Sequence, residues 1–337
     1  MPPQPPSRPA ALPAFPFVVG EARSGTTLLR VMLDAHPDLA IPPESYFVSG
    51  LYPFRSRYER KDGSFDLPGF ASDLQGLHKF RDWDLPEDAF RTAFSMPMPG
   101  GTYPDAIRLL YRTYAGVQGK PQYGDKSPGY VSRMKLLMQL FAEARFVHIV
   151  RDVRSVALSL VEMPAEWGTR TVPEGAARWR HRVSRGHTEG TAMGPDRYLE
   201  VRYEDLVADP EGQLRRIVGF LLLPWDDAVM NYAERGLSRV PAGSRGIHSN
   251  VARAPAKTRD WREQMSREDL EAVEAIAGDL MTEMGYDRAV PEPSAAARDR
   301  ARAVMGQWED YLRRKKRKGQ LRRRLGALRP GRSQPEE

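Results

Sequence analysis

Cysteine is absent from the 337 residues. That excludes disulfides and thiolate metal sites, and it fits a reducing compartment such as the cytoplasm. Long apolar runs are missing too. No stretch reaches the ~18 apolar residues that would span a bilayer, so no membrane-crossing segment is expected. The opening MPPQPPSRPAALP has no basic-then-apolar leader pattern, and 1–14 reads as a short disordered proline-rich lead. Histidine is scarce, and His181 and His187 stand six apart, off a shared helix face, so no metal site is indicated. Net positive charge is missing from the body, although the whole chain carries +7. Eleven of the 51 Lys and Arg lie in 313–332 with no acid among them, and the forty that remain face 44 acidic residues. The basicity therefore belongs to the tail, and charge argues against nucleic-acid binding by the body.

What is present is a phosphate cradle near the start. An apolar strand, Phe15–Val19, runs into Gly20-Glu21-Ala22-Arg23-Ser24-Gly25-Thr26-Thr27, and Leu28, Leu29, Met32 and Leu33 follow at helical spacing. In such a strand–loop–helix the loop N–H groups and the positive end of the helix converge on an anion. The nucleotide P-loop reads G-x-x-x-x-G-K-[ST]. Gly20, Gly25 and Thr27 fit it, but Thr26 stands in place of the lysine that reaches the β- and γ-phosphates. That argues against a nucleoside triphosphate and for a shorter phosphate group, with Arg23 as the cationic handle.

Farther on, Pro42-Pro43 stiffen the approach to Glu44, which reads either as an aimed carboxylate or as a solvated loop residue. Residues 48–118 mix aromatics with Pro/Gly breaks, show helical patterns near 86–95 and 104–117, and read as a cap inserted between core strands, its aromatics mostly packing. A short strand ends in Asp125-Lys126, with a helix expected from about Gly129 to Phe141. Lys126 is placed for a ligand, because sites in open parallel sheets collect at strand C-termini. The clearest buried strand is Ala144–Val150, apolar on both faces. It stops at Arg151 and becomes a helix in which Ser159 returns to the same face. That pair reads as a two-point anion grip, or as Arg151 paired with Asp152 beside an ordinary serine. His148 reads as a core histidine. The Arg- and His-rich helix over 173–193 reads as a solvated face, and 236–261 as a basic surface loop.

Together RSGTT (Arg23–Thr27), VRDVRSVALSL (Val150–Leu160) and VRYEDLV (Val201–Val207), supported by LDAHPD and GDKSP, resemble the sulfotransferases that use 3′-phosphoadenosine-5′-phosphosulfate (PAPS). The resemblance covers roughly 15–287 and is closest to the bacterial and tyrosylprotein-type branch. It implies an α/β, three-layer P-loop-like fold, with a small central parallel sheet flanked by helices and a helical cap. It implies a domain over 15–290, with 291–337 a basic helical or disordered tail. Loop residues Arg23, Ser24, Gly25, Thr26 and Thr27 would hold the 5′ end of PAPS, and Arg151 with Ser159 the 3′-phosphate. Tyr203, Ser249 and Lys257 would lie beside the nucleotide. Glu44 would be the general base for a hydroxyl acceptor, small-molecule, glycan or lipid, with Arg23 and Lys126 stabilising the charge that builds during in-line transfer. PAP would be the product, and no metal is required.

Two readings of other classes stay open on the residues alone. One is a P-loop kinase or NTPase using Mg–ATP; the other is a non-catalytic anion-binding or membrane-adaptor protein with the same fold. The tail, clustered cations with Leu312, Leu321, Leu325 and Leu328, reads either as a helix at the inner face of an anionic membrane or as a solubilising extension.

Overall fold

A computed structural model describes residues 12–234, 240, 241 and 260–324. Its strands are β1 (Phe15–Gly20), β2 (Leu39–Ala40), β3 (Ser64–Phe65), β4 (Met98–Pro99), β5 (Gln122–Tyr123), β6 (Asp125–Lys126), β7 (Ala144–Val150) and β8 (Tyr198–Arg202). The helices of the first half are α1 (Thr26–Asp34), α2 (Phe47–Leu51), α3 (Leu67–Gln75), α4 (Glu87–Phe94), α5 (Tyr103–Val117) and α6 (Met134–Leu140). Those of the second half are α7 (Val153–Val161), α8 (Val172–Thr191), α9 (Tyr203–Ala208), α10 (Pro210–Phe220), α11 (Trp261–Gln264), α12 (Arg267–Glu283) and α13 (Ala295–Arg324).

The central sheet is parallel throughout, in the order β6-β1-β7-β8. Parallel strands are covered on both faces, which is why β1 is an unbroken apolar run, buried at every residue. One face, with Phe15, Phe17 and Phe146, packs against the cap through Trp83, Tyr103 and Tyr111, and against the flanking Phe47 and Tyr130. The other, with Val18, Val147, Ile149 and Val201, packs on α1 and α10. A third cluster joins α7, α8, α12 and the start of α13. The fold is the expected α/β one, a small parallel sheet between helical layers with a helical cap. The cap aromatics Phe65, Phe70, Trp83, Phe90 and Phe94 are buried and continuous with the sheet's own core, so they pack as expected.

Two expectations need local correction. The segment before Lys126 is two strands, not one. β5 pairs with β2, and β6 then joins the central sheet beside β1. Gly124 makes that crossing, since a Cβ there would lie 3.1 Å from the Pro16 carbonyl oxygen. The helix expected over 129–141 is broken: a 3₁₀ turn over Pro128–Ser132 precedes α6, with Arg133 off helical geometry between them. Gly129 N–H donates to Tyr46 Oη instead of entering a helix ladder. At the far end, α13 continues through the cationic run, where Arg313, Arg314, Lys316, Arg317 and Lys318 are exposed. The remainder of 313–332 beyond Arg324 lies outside the described residues.

Candidate active site

The anion loop forms where β1 runs out at Gly20, whose place admits no side chain: a Cβ would sit 2.5 Å from the Ile149 carbonyl oxygen. Arg23 takes a left-handed conformation, φ 69°, and Gly25 follows at φ 96°. Gly25 caps α1 without any side-chain hydrogen bond to the helix, and no acidic residue occupies the first turn. The first-turn N–H groups and the helix dipole are thus presented to the loop.

Arg151 with Ser159, and Tyr203, all far from the loop in the chain, converge on its Arg23 and Gly25. Arg23 Nε donates to Ser159 Oγ at 3.0 Å. Arg151 Nη1 donates to the Arg23 carbonyl at 3.1 Å, and its guanidinium lies over the Tyr203 ring, 4.6 Å from the centroid. That ring closes against Gly25, where a Cβ would meet it at 2.4 Å. Asp152 is not the partner of Arg151: it caps α7 and pairs with Arg154 at 2.7 Å, which reaches Glu274 at 3.0 Å. The Arg151 backbone is pinned separately, its carbonyl accepting from Trp179 Nε1 at 2.9 Å. The next amide, Asp152 N–H, donates to Glu204 at 3.1 Å. Buried Arg151 Nε and Ser24 Oγ have no hydrogen-bond partner among the described residues. Buried donors are ordinarily satisfied, so both are consistent with a site shaped for an anion.

A second group stands on the cap side. Register places Lys126 beside Val18 of β1. Its Nζ pairs with Glu44 Oε2 at 2.7 Å and lies 3.5 Å from Thr27 Oγ1, so the pair abuts the loop itself. Burial holds the Lys126 ammonium below the usual lysine range, and Glu44 opposes that shift while Arg30 and Lys79 add to it. Glu44 is aimed by its neighbours: Trp83 Nε1 donates to the Pro43 carbonyl at 2.9 Å, and Tyr46 turns the chain at φ 59°. Adjacent Asp125, wholly buried, accepts from Tyr111 Oη at 2.5 Å, and burial pushes its carboxyl up to about 6. Two histidines near these elements are engaged elsewhere. His36 Nδ1 accepts from Asp38 N–H, which leaves Nε2 to donate to the Pro224 carbonyl. His148 is a core residue bonded through Nδ1 to Tyr198 Oη at 2.6 Å. Ser249 and Lys257 lie outside the described residues.

Sequence reasoning read α8 as a solvated cationic face. Arg178 and Arg182 are instead nearly buried and pair with Glu21, a fully buried carboxylate inside the anion loop, at 3.0 and 3.3 Å. Desolvated charge must be matched, and the loop acid draws the arginines inward. Their i, i+4 spacing put them on one face but could not name Glu21 as the partner. Glu204, in the motif RYEDL, was likewise overlooked as a support for Arg151.

Residues 16–227 match the family described as "Sulfotransferase family". The protein-tyrosine sulfotransferase of Drosophila melanogaster is 26% identical over 221 residues, 65% of this chain and 40% of that protein. The nodulation protein NoeE of Sinorhizobium fredii is 26% identical over 336 residues, 90% of this chain and 75% of its own. The chain thus spans well under half the length of the fly relative and three quarters of the bacterial one. Among solved structures, the sulfotransferase domain of the Synechococcus PCC 7002 olefin synthase superposes with a TM-score of 0.57 at 25% identity, covering 83% of this chain and 98% of that domain. The chain belongs to the sulfotransferase family.

Proposed function

We propose that this sulfotransferase moves the sulfuryl group of PAPS to a hydroxyl acceptor, with Glu44 as general base. The observation that carries the reading is the Glu44–Lys126 pair set against Thr27 of the anion loop, with Ser159 and Arg151 converging on Arg23 of that loop from the other side. Two anionic ends need two grips, and the placing of Arg151 and Ser159 beside the loop, each bonded to Arg23, supports a second one there. The unpartnered Arg151 Nε and Ser24 Oγ and the uncapped first turn of α1 fit a ligand with phosphate groups. PAPS supplies a sulfuryl group already activated on a phosphate leaving group.

The chain's own residues do the rest. Arg23, Thr26 and the loop N–H groups hold the 5′ end, and Arg151 and Ser159 hold the 3′-phosphate. The Tyr203 ring, backed by Arg151, forms the floor beside the nucleotide. Glu44 takes the acceptor hydroxyl's proton as the new oxygen–sulfur bond forms and the bond to the phosphate breaks, a contribution of about 10²–10⁴-fold for a well-placed base. Lys126 steadies Glu44 and offers positive charge where the bridging oxygen gathers negative charge. The tyrosine named for the fly relative is one hydroxyl of the required kind. The exposed cations of α13 add a candidate peripheral contact with an anionic membrane surface, which cosedimentation with anionic vesicles checks.

Thermal shift with PAP and with Mg–ATP tests the donor, and labelled sulfate offered from PAPS to a panel of hydroxyl compounds tests the transfer. Stabilisation by PAP and labelling of at least one hydroxyl are expected. Stabilisation by Mg–ATP alone would favour a phosphotransferase, for which Thr26 in the lysine position is the adverse feature.

A further inference from the structure

The anion loop contains a group that elementary electrostatics says should not be there. Glu21 lies two residues before Arg23 and is fully buried, and a fixed carboxylate beside an anion site opposes the ligand. Its surroundings show what offsets it. Oε1 accepts from the neighbouring Ala22 N–H at 2.8 Å and pairs with Arg178 Nε at 3.0 Å, while Oε2 pairs with Arg182 Nε at 3.3 Å. Arg178 is itself fixed, donating through Nη1 to the Trp167 carbonyl at 2.6 Å. Trp167 in turn lies 5.3 Å beneath the ammonium of Lys79, on the cap. One carboxylate between two guanidinium groups leaves the cluster with a surplus positive charge behind the loop. The Ala22 amide is removed from the cradle, and the next residue, Arg23, is the one that enters the left-handed region and turns to Ser159.

We infer that Glu21 is a positioning residue for the donor's 5′ end, clamped by Arg178 and Arg182 of α8 so that Ala22 and Arg23 are held in their binding geometry. The inference rests on the donor reading given above. Glu21 touches no reacting group. It acts through Arg23, and α8 thereby becomes part of the donor site although none of its residues lies in the loop.

The sign of one substitution separates this role from a purely electrostatic one. If Glu21 were only an adverse charge, E21Q would tighten nucleotide binding. As a positioning residue, E21Q weakens it, by roughly the 10- to 100-fold seen when partners that orient metal ligands are lost. The loss falls more heavily on the 5′ arm, since Ser159 and Arg151 feel Arg23 only at second hand. Titration calorimetry with 5′-AMP, 3′-AMP and PAP reads this directly: E21Q weakens 5′-AMP and PAP, weakens 3′-AMP by a clearly smaller factor, and E21D restores part of the difference. A general loss of stability moves both mononucleotides together. R182Q, which keeps the Glu21–Arg178 pair, supplies the same comparison if E21Q does not fold, again with the loss falling on 5′-AMP. Unchanged or tighter 5′-AMP binding, or equal losses in both mononucleotides, overturns the inference while leaving the donor reading intact. Wild-type protein that binds neither PAP nor either mononucleotide overturns the donor reading and this inference with it.

Discussion

Gly25→Ala is the smallest change that tests how the donor side is assembled. Two costs are legible at that position. The backbone sits at φ 96°, where an alanine is strained by roughly 1–2 kcal/mol. The new methyl would also fall 2.4 and 2.7 Å from two carbons of the Tyr203 ring, against about 3.5 Å for an ordinary carbon contact, so the ring must retreat by about 1 Å. Arg151 rests on that ring and holds the Arg23 carbonyl, so the retreat reaches both of the phosphate grips proposed above. A stacked cation–π contact is worth about 0.5–2 kcal/mol, depending on exposure. The sum expected in binding is about 2–3 kcal/mol, roughly 30- to 150-fold in the Kd for PAP. Calorimetric titration of PAP into the wild type, Gly25→Ala, Tyr203→Leu and the double variant closes a cycle. Removing the ring removes the clash but not the backbone strain, so Gly25→Ala should cost about 1 kcal/mol less in the Tyr203→Leu background, clear of the ~0.3–0.5 kcal/mol within which independent sites add. An unchanged Kd for Gly25→Ala, or a strictly additive cycle, would refute the account.

Other outcomes follow from the same geometry. Glu44→Gln should lower turnover by about 10²–10⁴-fold with PAP affinity nearly unchanged; parallel loss of PAP binding would move Glu44 from proton transfer to nucleotide binding. Because burial lowers the Lys126 ammonium, the alkaline limb of the kcat–pH profile should begin below the ordinary lysine range, and Lys126→Arg should move it upward. Asp125 is raised in the fold to about 6, so its stabilising contribution is complete below the unfolded value near 3.8 and is lost as pH rises through 6. Asp125→Asn should flatten that part of the stability–pH curve, a change of about 2 kcal/mol in chemical denaturation between pH 4 and 7. Glu274→Ala leaves Arg154 with Asp152 as its remaining acid and strips two backbone amides, Ala289 and Val290, of their acceptor; at about 1–3 kcal/mol per unsatisfied donor it should cost about 2–5 kcal/mol of unfolding free energy.

Much of the fold and part of the site could be read before any coordinates. The loop was visible because Gly20 and Gly25 are demanded by backbone geometry, and Ala144–Val150 because a strand covered on both faces must be apolar along its whole length. Arg151, just past β7, and Ser159, on α7, were legible as neighbours by their spacing, although what joins them is Arg23, to which each is bonded. The Glu44–Lys126 and Glu21–Arg178–Arg182 contacts are of another kind. Each joins residues more than eighty positions apart, and nothing in a charged residue's neighbourhood says which distant charge it will meet. The α8 arginines therefore looked like any exposed cationic helix. The break at Arg133 was hidden for a different reason: Tyr46, in the cap approach, takes the Gly129 amide out of the helix it would otherwise join.

The order of the central sheet has a consequence for how the chain acquires its structure. β1 pairs on both sides with strands more than a hundred residues away, β6 and β7, and has no hairpin partner. During synthesis the anion loop therefore emerges long before anything exists to hold β1 in place. The intervening cap must form, or at least collapse, for the two ends of that span to meet, and closing so long a loop carries an entropic cost that only the completed sheet repays. Destabilising the cap core at Phe70 or Trp83 should accordingly slow refolding and also weaken the finished protein. The cap is, in this respect, also the tether by which the strands around the anion loop are brought together.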